Sequence, residues 1–563
     1  VTTAAVSKAM SLSLRLMRAT RTVETSLRKD HELTEVDAEN GRLFIGQGPA
    51  AAPSWLPFVG EFAVGRPLRL RNRSCGAVLF LKIEAEGHPG VTRTMALTFG
   101  TGHHALEADA FERGFGLRVV LNAVARSNLR GIDVATLDAT TFLKRVQASR
   151  DADLEGFKID FERDLVRLAA GSPKDTTFAR SLAGKDMLTL HSKTSSSDVR
   201  EKCRKALTLY ESRDYKADFG FIDFVAPVQD KALIETLDGL AFAEIQSLAQ
   251  GGSSDLHLAL PEILDPEEGV EIGYYGIGLK PGAKPSFSQV MIDDYVDELQ
   301  GGRLNDIADM AALRSSHEVR VIRNGELDKK QKRKLYDCLV FEVDHHGSIY
   351  VLFGGEWFSV DKKFYAAIEK SFARLVSPVP FVASTTATNE RDFIAELNSR
   401  TDLLNMDQVK ISPEGMPGAS FEPCDFLSTK RQFIHLKDGH ASDLISHLWN
   451  QGIVASESFV RDGKFRKEFR DNAIVRQRKY RKAGFEKLLP SGRSRPDASQ
   501  FTVVFGILRL RYRRSGALGI PFFSKVSLRA AADRIALMGF NVELHLVEKQ
   551  AKLGKAPSAK KAA

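Results

Sequence analysis

Asp425, His435 and Lys437 stand close together in the stretch CDFLSTKRQFIHLKDGHASDLISHLWNQG, residues 424 to 452. Side chains on a strand alternate, so Phe433, His435 and Lys437 of FIHLK share one side, and Ile434 and Leu436 take the other. The short STKR turn makes the preceding strand an antiparallel partner and brings Asp425 to the His435/Lys437 end. A carboxylate that holds a divalent cation, next to a lysine that orients a water, is the minimal equipment for metal-assisted phosphodiester hydrolysis. Asp425, His435 and Lys437 are therefore the candidate catalytic residues. Asp425 is the candidate ligand for Mg2+ or Mn2+, since such an ion takes only one or two protein carboxylates.

The elements that must position these residues follow one another after the proline-rich joint SPVPF at 377 to 381. NERDFIAELNSR reads as a helix capped by Asn389, then LLNMDQVKI, ASFEPCDFL and RQFIHLK read as three strands. A helix with a break expected at Gly452, a basic helical stretch and the strand FTVVFGILRLRY complete an α-β-β-β-α-β order. This order, with an acid on strand two and a lysine ending strand three, resembles the PD-(D/E)XK restriction-endonuclease-like core. The resemblance implies that Asp425 binds metal, that His435 takes the position of a second acidic ligand, and that Lys437 serves the attacking water. It also implies an extra acid on the first helix, Glu396 or Glu390. His435 departs from the pattern, because a neutral imidazole is a poor magnesium ligand beside a carboxylate. Glu422, three residues from Asp425, is expected on the opposite strand face.

Charge points to nucleic acid as the partner, with DNA favoured over RNA. The chain carries a net +8, but residues 461 to 563 hold 25 Lys and Arg against 8 acids, about +17, which leaves about −9 for the rest. Such a segment attracts phosphates through counterion release. Ser442, Ser446, His447 and Gln451 form i,i+4 pairs on the second helix, and Arg476, Arg478, Lys479, Arg481, Lys482 and Lys525 supply the basic face. A module that grips nucleic acid or a protein partner without cutting it is the alternative from another class.

The remainder reads as mixed α/β, an α+β multidomain chain, as expected for 563 residues. The expected divisions are an N-terminal α+β domain over 1–150, a middle helical and hairpin domain over 151–380, the restriction-endonuclease-like domain over 381–550 and a basic tail over 551–563. Within them, DAFERGFGLRVVLNAV, LEGFKIDFERDLVRLAAGSPKD and DVREKCRKALTLYESRDY are expected to be helical, and HHGSIY to turn a hairpin. TFGTGHH and LAGKD lack the ending of a phosphate-binding loop and read as turns; Trp357 of GGEWF reads as a buried anchor. Four cysteines without CxxC spacing fit neither a disulfide framework nor a zinc site, and suit a reducing cytoplasm. No apolar run is long enough for a membrane span, and no membrane partner is expected. The basic N-terminal stretch reads as a first strand, SLSLRLM, with Met10 a candidate start.

Taken in order, LAGKDMLTLHSK, YKADFGFIDFV, GGEWFSV, FEPCDFLSTKRQFIHLK, SHLWNQG and PFFSKVSLRAAADRIALMGFNVEL make the chain resemble, from about residue 11 to 548, a sporadically distributed bacterial and archaeal family of unknown function. That resemblance brings no chemistry with it. Its patchy occurrence implies horizontally moved genes, of which phage-defence systems are frequent cases, and this is an association only.

Overall fold

The computed structural model describes residues 8–550 apart from 40, 64–67, 85–91, 137–141, 153–163, 229, 260–269, 280–286, 288–289, 300–305, 324–325, 388, 413, 415–419, 440–441, 492–494 and 512–514. The chain divides into two compact units, residues 1–136 with 143–222, and residues 137–142 with 223–563. Among the described residues no helix is long and apolar enough to cross a membrane.

The first unit is built on a ten-stranded sheet in which the pairings among the described residues are antiparallel. Lys8–Leu16 lies at its centre, between Thr92–Gly100 and Leu188–Thr194. Because the first strand pairs with one that ends at Thr194, the division expected at residue 150 falls inside a single sheet. The helices Phe115–Ala123 and Val199–Glu211 pack on it through Phe115, Val119, Val120, Cys203, Ala206 and Leu207. The stretch from Asp164 to Pro173 is a strand, not the helix expected from its spacing. Its apolar residues satisfy a two-residue period equally well, and pairing on both sides, with Val124–Thr136 and Ser181–Gly184, decides the matter. Residues 153–163 of the same expected helix lie outside the described residues.

The second unit contains a five-stranded, a three-stranded and a six-stranded sheet. In the five-stranded sheet the HHGSIY hairpin is present: Leu339–His345 pairs with Ser348–Phe353 across a turn in which His346 and Gly347 have positive φ. Trp357 is buried, and its indole N–H donates to Asp238 Oδ1 at 2.8 Å. The joint at 377 to 381 does not divide this unit. Ser377 N donates to Leu544 O, and Phe381 N to His545 Nδ1, which ties the joint to the last sheet.

That last, six-stranded sheet carries the candidate residues. Its elements are α1 (Glu390–Leu397), β1 (Leu403–Asn405), β2 (Phe426–Ser428), β3 (Gln432–Asp438), α2 (Ser442–Arg461), α3 (Gly463–Lys479), β4 (Thr502–Arg509), α4 (Phe522–Leu537) and β5 (Asn541–Lys549). β1, β2 and β3 form an antiparallel meander; β3, β4 and β5 run parallel, and the short strand Ser384–Thr385 joins the far edge in parallel. Asn389 caps α1 by accepting from Asp392 N. Both faces of the sheet are covered, and its central parallel strand β4, TVVFGILR, is a nearly continuous apolar run. Phe433, Val503 and Phe505 pack with Trp449, Phe459, Phe469 and Leu528 of the helices on one face. Ile434, Leu436, Val504 and Leu508 pack with Phe393 and Leu397 of α1 on the other.

The helix α2 runs unbroken through Gly452, contrary to the expected break. Glycine serves close approach here, since a Cβ at this position would lie 2.6 Å from the Phe505 ring. Although alanine favours a helix by about 1 kcal/mol, Gly452→Ala is predicted to destabilise the protein by about 1–3 kcal/mol through overpacking. Denaturant unfolding checks this, and a stabilised variant would contradict the packing argument.

Candidate functional site

The site is assembled where the meander loses its regularity. Asp425 immediately precedes β2, and its main chain still pairs, N–H to Ile434 O and carbonyl to Met406 N. Its carboxylate turns in and accepts the Leu436 N–H at 2.6 Å, which fills the place of a ladder acceptor. Lys437 follows on β3, part-buried, with Nζ 3.1 Å from Glu390 at the start of α1. Asp425 and Lys437 thus lie on neighbouring strands, and the side chain of each interacts with Glu390.

Two further acids complete the group. One oxygen from each of Asp407, Glu422 and Asp425 can be chosen so that all three lie within 4.8 Å of one another. Glu422 was expected on the other face, but residues 422 to 425 are not in a regular strand, so the parity argument does not reach it. Asp407 lies just after β1, next to Gln408 at φ 60°, and the Arg476 guanidinium holds its carbonyl at 2.5 Å. In the sequence both acids fall inside runs that read as strands, LLNMDQVKI and ASFEPCDFL, and nothing there singles them out.

The electrostatics follow from crowding. Burial, and then the charges of Glu390, Glu422 and Asp407, push the Asp425 carboxyl well above its ordinary pKa, against the opposing Leu436 N–H. Burial raises Glu422 as well, with Asp407 and Glu390 adding to it and Lys410 and Lys437 opposing. Asp407 is raised by burial, with Arg476 and Lys437 opposing. Each group ionises at a cost that an added cation would remove.

Other expected residues lie elsewhere. His435 faces the dry interior near Phe505, with ring centroids 6.1 Å apart, and its Nε2 has no hydrogen-bond partner. Burial alone lowers its pKa to about 4, so it is a core imidazole and does not take the ligand position. Glu396 accepts a hydrogen bond from Thr385 Oγ1, away from the three acids, and Glu390 is the α1 acid beside them. His447 is exposed, and partial burial together with the Lys437 ammonium disfavours its protonated form. Gln451 is partly buried, and the side chains of Ser442 and Ser446 lie outside the described residues.

The basic residues divide into two groups. Arg478, Lys479 and Arg481 are exposed. Arg476 and Lys482 reach inward to the carbonyls of Asp407 and Leu403, and Lys525 pairs with Glu369 at 2.7 Å with its side chain only 11% exposed. Lys525 therefore supports the fold and is not part of an open phosphate-facing surface.

The raised carboxyls give a signed expectation. A carboxyl whose folded pKa exceeds its unfolded value binds its proton more tightly in the folded state, so cation-free stability falls as pH rises from about 4 through the folded values. Asp425→Asn keeps an oxygen for the Leu436 N–H and removes one charge. It is predicted to raise the cation-free melting temperature at pH 8 more than at pH 4.5. Thermal denaturation in a chelator measures this, and an equal loss at both values would contradict it.

Residues 12–548 match the family model of DUF6119, a family of unknown function, and the chain belongs to that family. No curated protein and no solved structure matches it.

Proposed function

We propose that this member of the DUF6119 family is a divalent-cation-dependent phosphodiesterase acting on nucleic acid, with DNA favoured over RNA. The observation that carries the reading is the convergence of Asp407, Glu422 and Asp425 within 4.8 Å, with Lys437 held beside them by Glu390. The donors are all carboxylate oxygens, which suits a hard cation, Mg2+ or Mn2+, better than a thiolate- or imidazole-seeking one. Such an ion, when bound, neutralises the carboxylates and polarises a phosphoryl oxygen.

The chain's own groups have separate roles. Asp425 is fixed by the Leu436 N–H and cannot swing away without losing a buried hydrogen bond. Asp407 and Glu422 supply the negative charge that β3 lacks, since His435 points into the core. The Lys437 ammonium orients a water and offsets charge growing on the phosphate. Helix, meander, helix and parallel strand is also the element order of the restriction-endonuclease-like core, and the reading takes this sheet as a divergent form of it. The exposed Arg478, Lys479 and Arg481 supply nonspecific phosphate contacts.

Purified protein incubated with supercoiled DNA, linear DNA and RNA, with Mg2+ or Mn2+, tests the reading. Cleavage is expected only with the cation, and Asp425→Ala and Lys437→Ala are each expected to lower its rate by about a hundredfold or more. No cleavage with either cation, with binding retained in both variants, would favour the non-catalytic module instead.

A further inference from the structure

A long hairpin arm leaves the first unit between Arg42–Gln47 and Cys75–Glu84, which pair antiparallel. Its stem continues beyond those strands: Gly48 N donates to Ser74 O, and Ala51 and Asn72 exchange two backbone hydrogen bonds of 2.9 and 3.0 Å. Twenty residues, 52 to 71, lie past that bridge, a length that in a compact domain usually serves a function. Of these, 64–67 are outside the described residues.

The outgoing limb contains the single-turn helix Leu56–Gly60 and exposes aromatic rings. Trp55 is 48%, Phe58 65% and Phe62 73% solvent-exposed, and Phe58 and Phe62 meet edge to face at 5.4 Å. Leaving three such rings in water forfeits the gain from burying them, and grouped exposure of this kind marks an interaction surface. The returning limb, LRLRNR from Leu68 to Arg73, places exposed arginines at every second position, Arg69, Arg71 and Arg73. Between residues 51 and 83 the sequence has one acid, Glu61.

We propose that this arm docks single-stranded nucleic acid, with bases stacked on Trp55, Phe58 and Phe62 and phosphates on Arg69, Arg71 and Arg73. The inference takes its polymer from the reading above and adds the strandedness. Aromatic rings next to a basic track are the elements of a sequence-tolerant single-strand surface, because every unpaired base offers a π-face. A duplex keeps those faces stacked inside. Three exposed arginines at alternate positions, on a limb that pairs back at Asn72, offer a linear run of positive charge to a chain of phosphates.

Tryptophan fluorescence reads the arm directly, since Trp357 and Trp449, the other two tryptophans, are buried. The full chain in EDTA is titrated with a twenty-nucleotide oligo-dT, with a duplex of the same length and with phosphatidylserine-containing vesicles. Oligo-dT is expected to quench the emission saturably, with duplex about tenfold weaker or worse. Phe58→Ala with Phe62→Ala is expected to weaken oligo-dT binding about tenfold. Replacing Arg69, Arg71 and Arg73 by Gln is expected to reduce the slope of log K against log salt by about 2. The arm variants change exposed residues, and circular dichroism checks their folding. Absence of quenching overturns the proposal, as does oligo-dT binding that the arm variants leave unchanged. A blue shift with vesicles alone assigns the arm to lipid and overturns it, and self-association lost in the Phe58/Phe62 variant assigns it to a second copy and does the same. The arm belongs to the first unit and the three acids to the second, so quenching and cleavage score the two readings separately. Quenching without cleavage therefore counts against the metal-site reading alone, and cleavage without quenching against the arm alone.

Discussion

Three carboxylates that can bring oxygens within 4.8 Å of one another, one of them buried, cannot all be charged without something to offset them. Lys437, which Glu390 already engages at 3.1 Å, offsets Asp407 and Glu422 in part, with Lys410 acting on Glu422 and Arg476 on Asp407. Protons meet the imbalance at low pH, and the proposed divalent cation would meet it at neutral pH. The rest of the six-stranded sheet is arranged so that the acids stay together despite their repulsion.

The sheet does this through its backbone. Asp425 takes the role of a ladder acceptor for Leu436, so its carboxylate is held by the same pairing that holds β2 to β3. The meander brings the ends of β1 and β2 side by side, which places Asp407 next to Glu422 although fifteen residues separate them in sequence. Helices on both faces lock β3, with Phe433 on one side and Ile434 and Leu436 on the other. Arg476 and Lys482 fasten α3 and the turn after it to the carbonyls around β1.

Much of this sheet was legible in the sequence. The strands around residues 403, 426, 432 and 502 and the Asn389 cap follow from apolar runs, turn residues and strand alternation. What alternation does not tell is whether a side is wet or dry. His435 and Lys437 project from the same side of β3, yet His435 enters the aromatic core beside Phe505 and Lys437 reaches the rim. Alternation also presumes a regular strand, which is why Glu422 was put on the wrong face. Glu396 and Glu390 look equivalent on a helix in the sequence, and topology separates them by setting Thr385 beside Glu396 and Lys437 beside Glu390.

Charge counting overstated the open basic surface for a related reason. Arg466, Arg476, Lys482, Lys525 and Lys549 spend their donors on carbonyls or acids within the fold. Their partners are residues such as Glu369 and Asp438, whose proximity depends on topology. The arm in the first unit is not legible in the sequence, because exposed aromatic residues look like core residues until the hairpin stem is known.

The central claim is that Asp407, Glu422 and Asp425 together form a cation site. Crystals soaked in MnCl2 and measured at the manganese absorption edge test it most directly. The account predicts an anomalous peak in contact with oxygens of all three carboxylates, while Lys437 remains outside the coordination sphere. A difference map with no peak there, at manganese concentrations that occupy other surface sites, would contradict it.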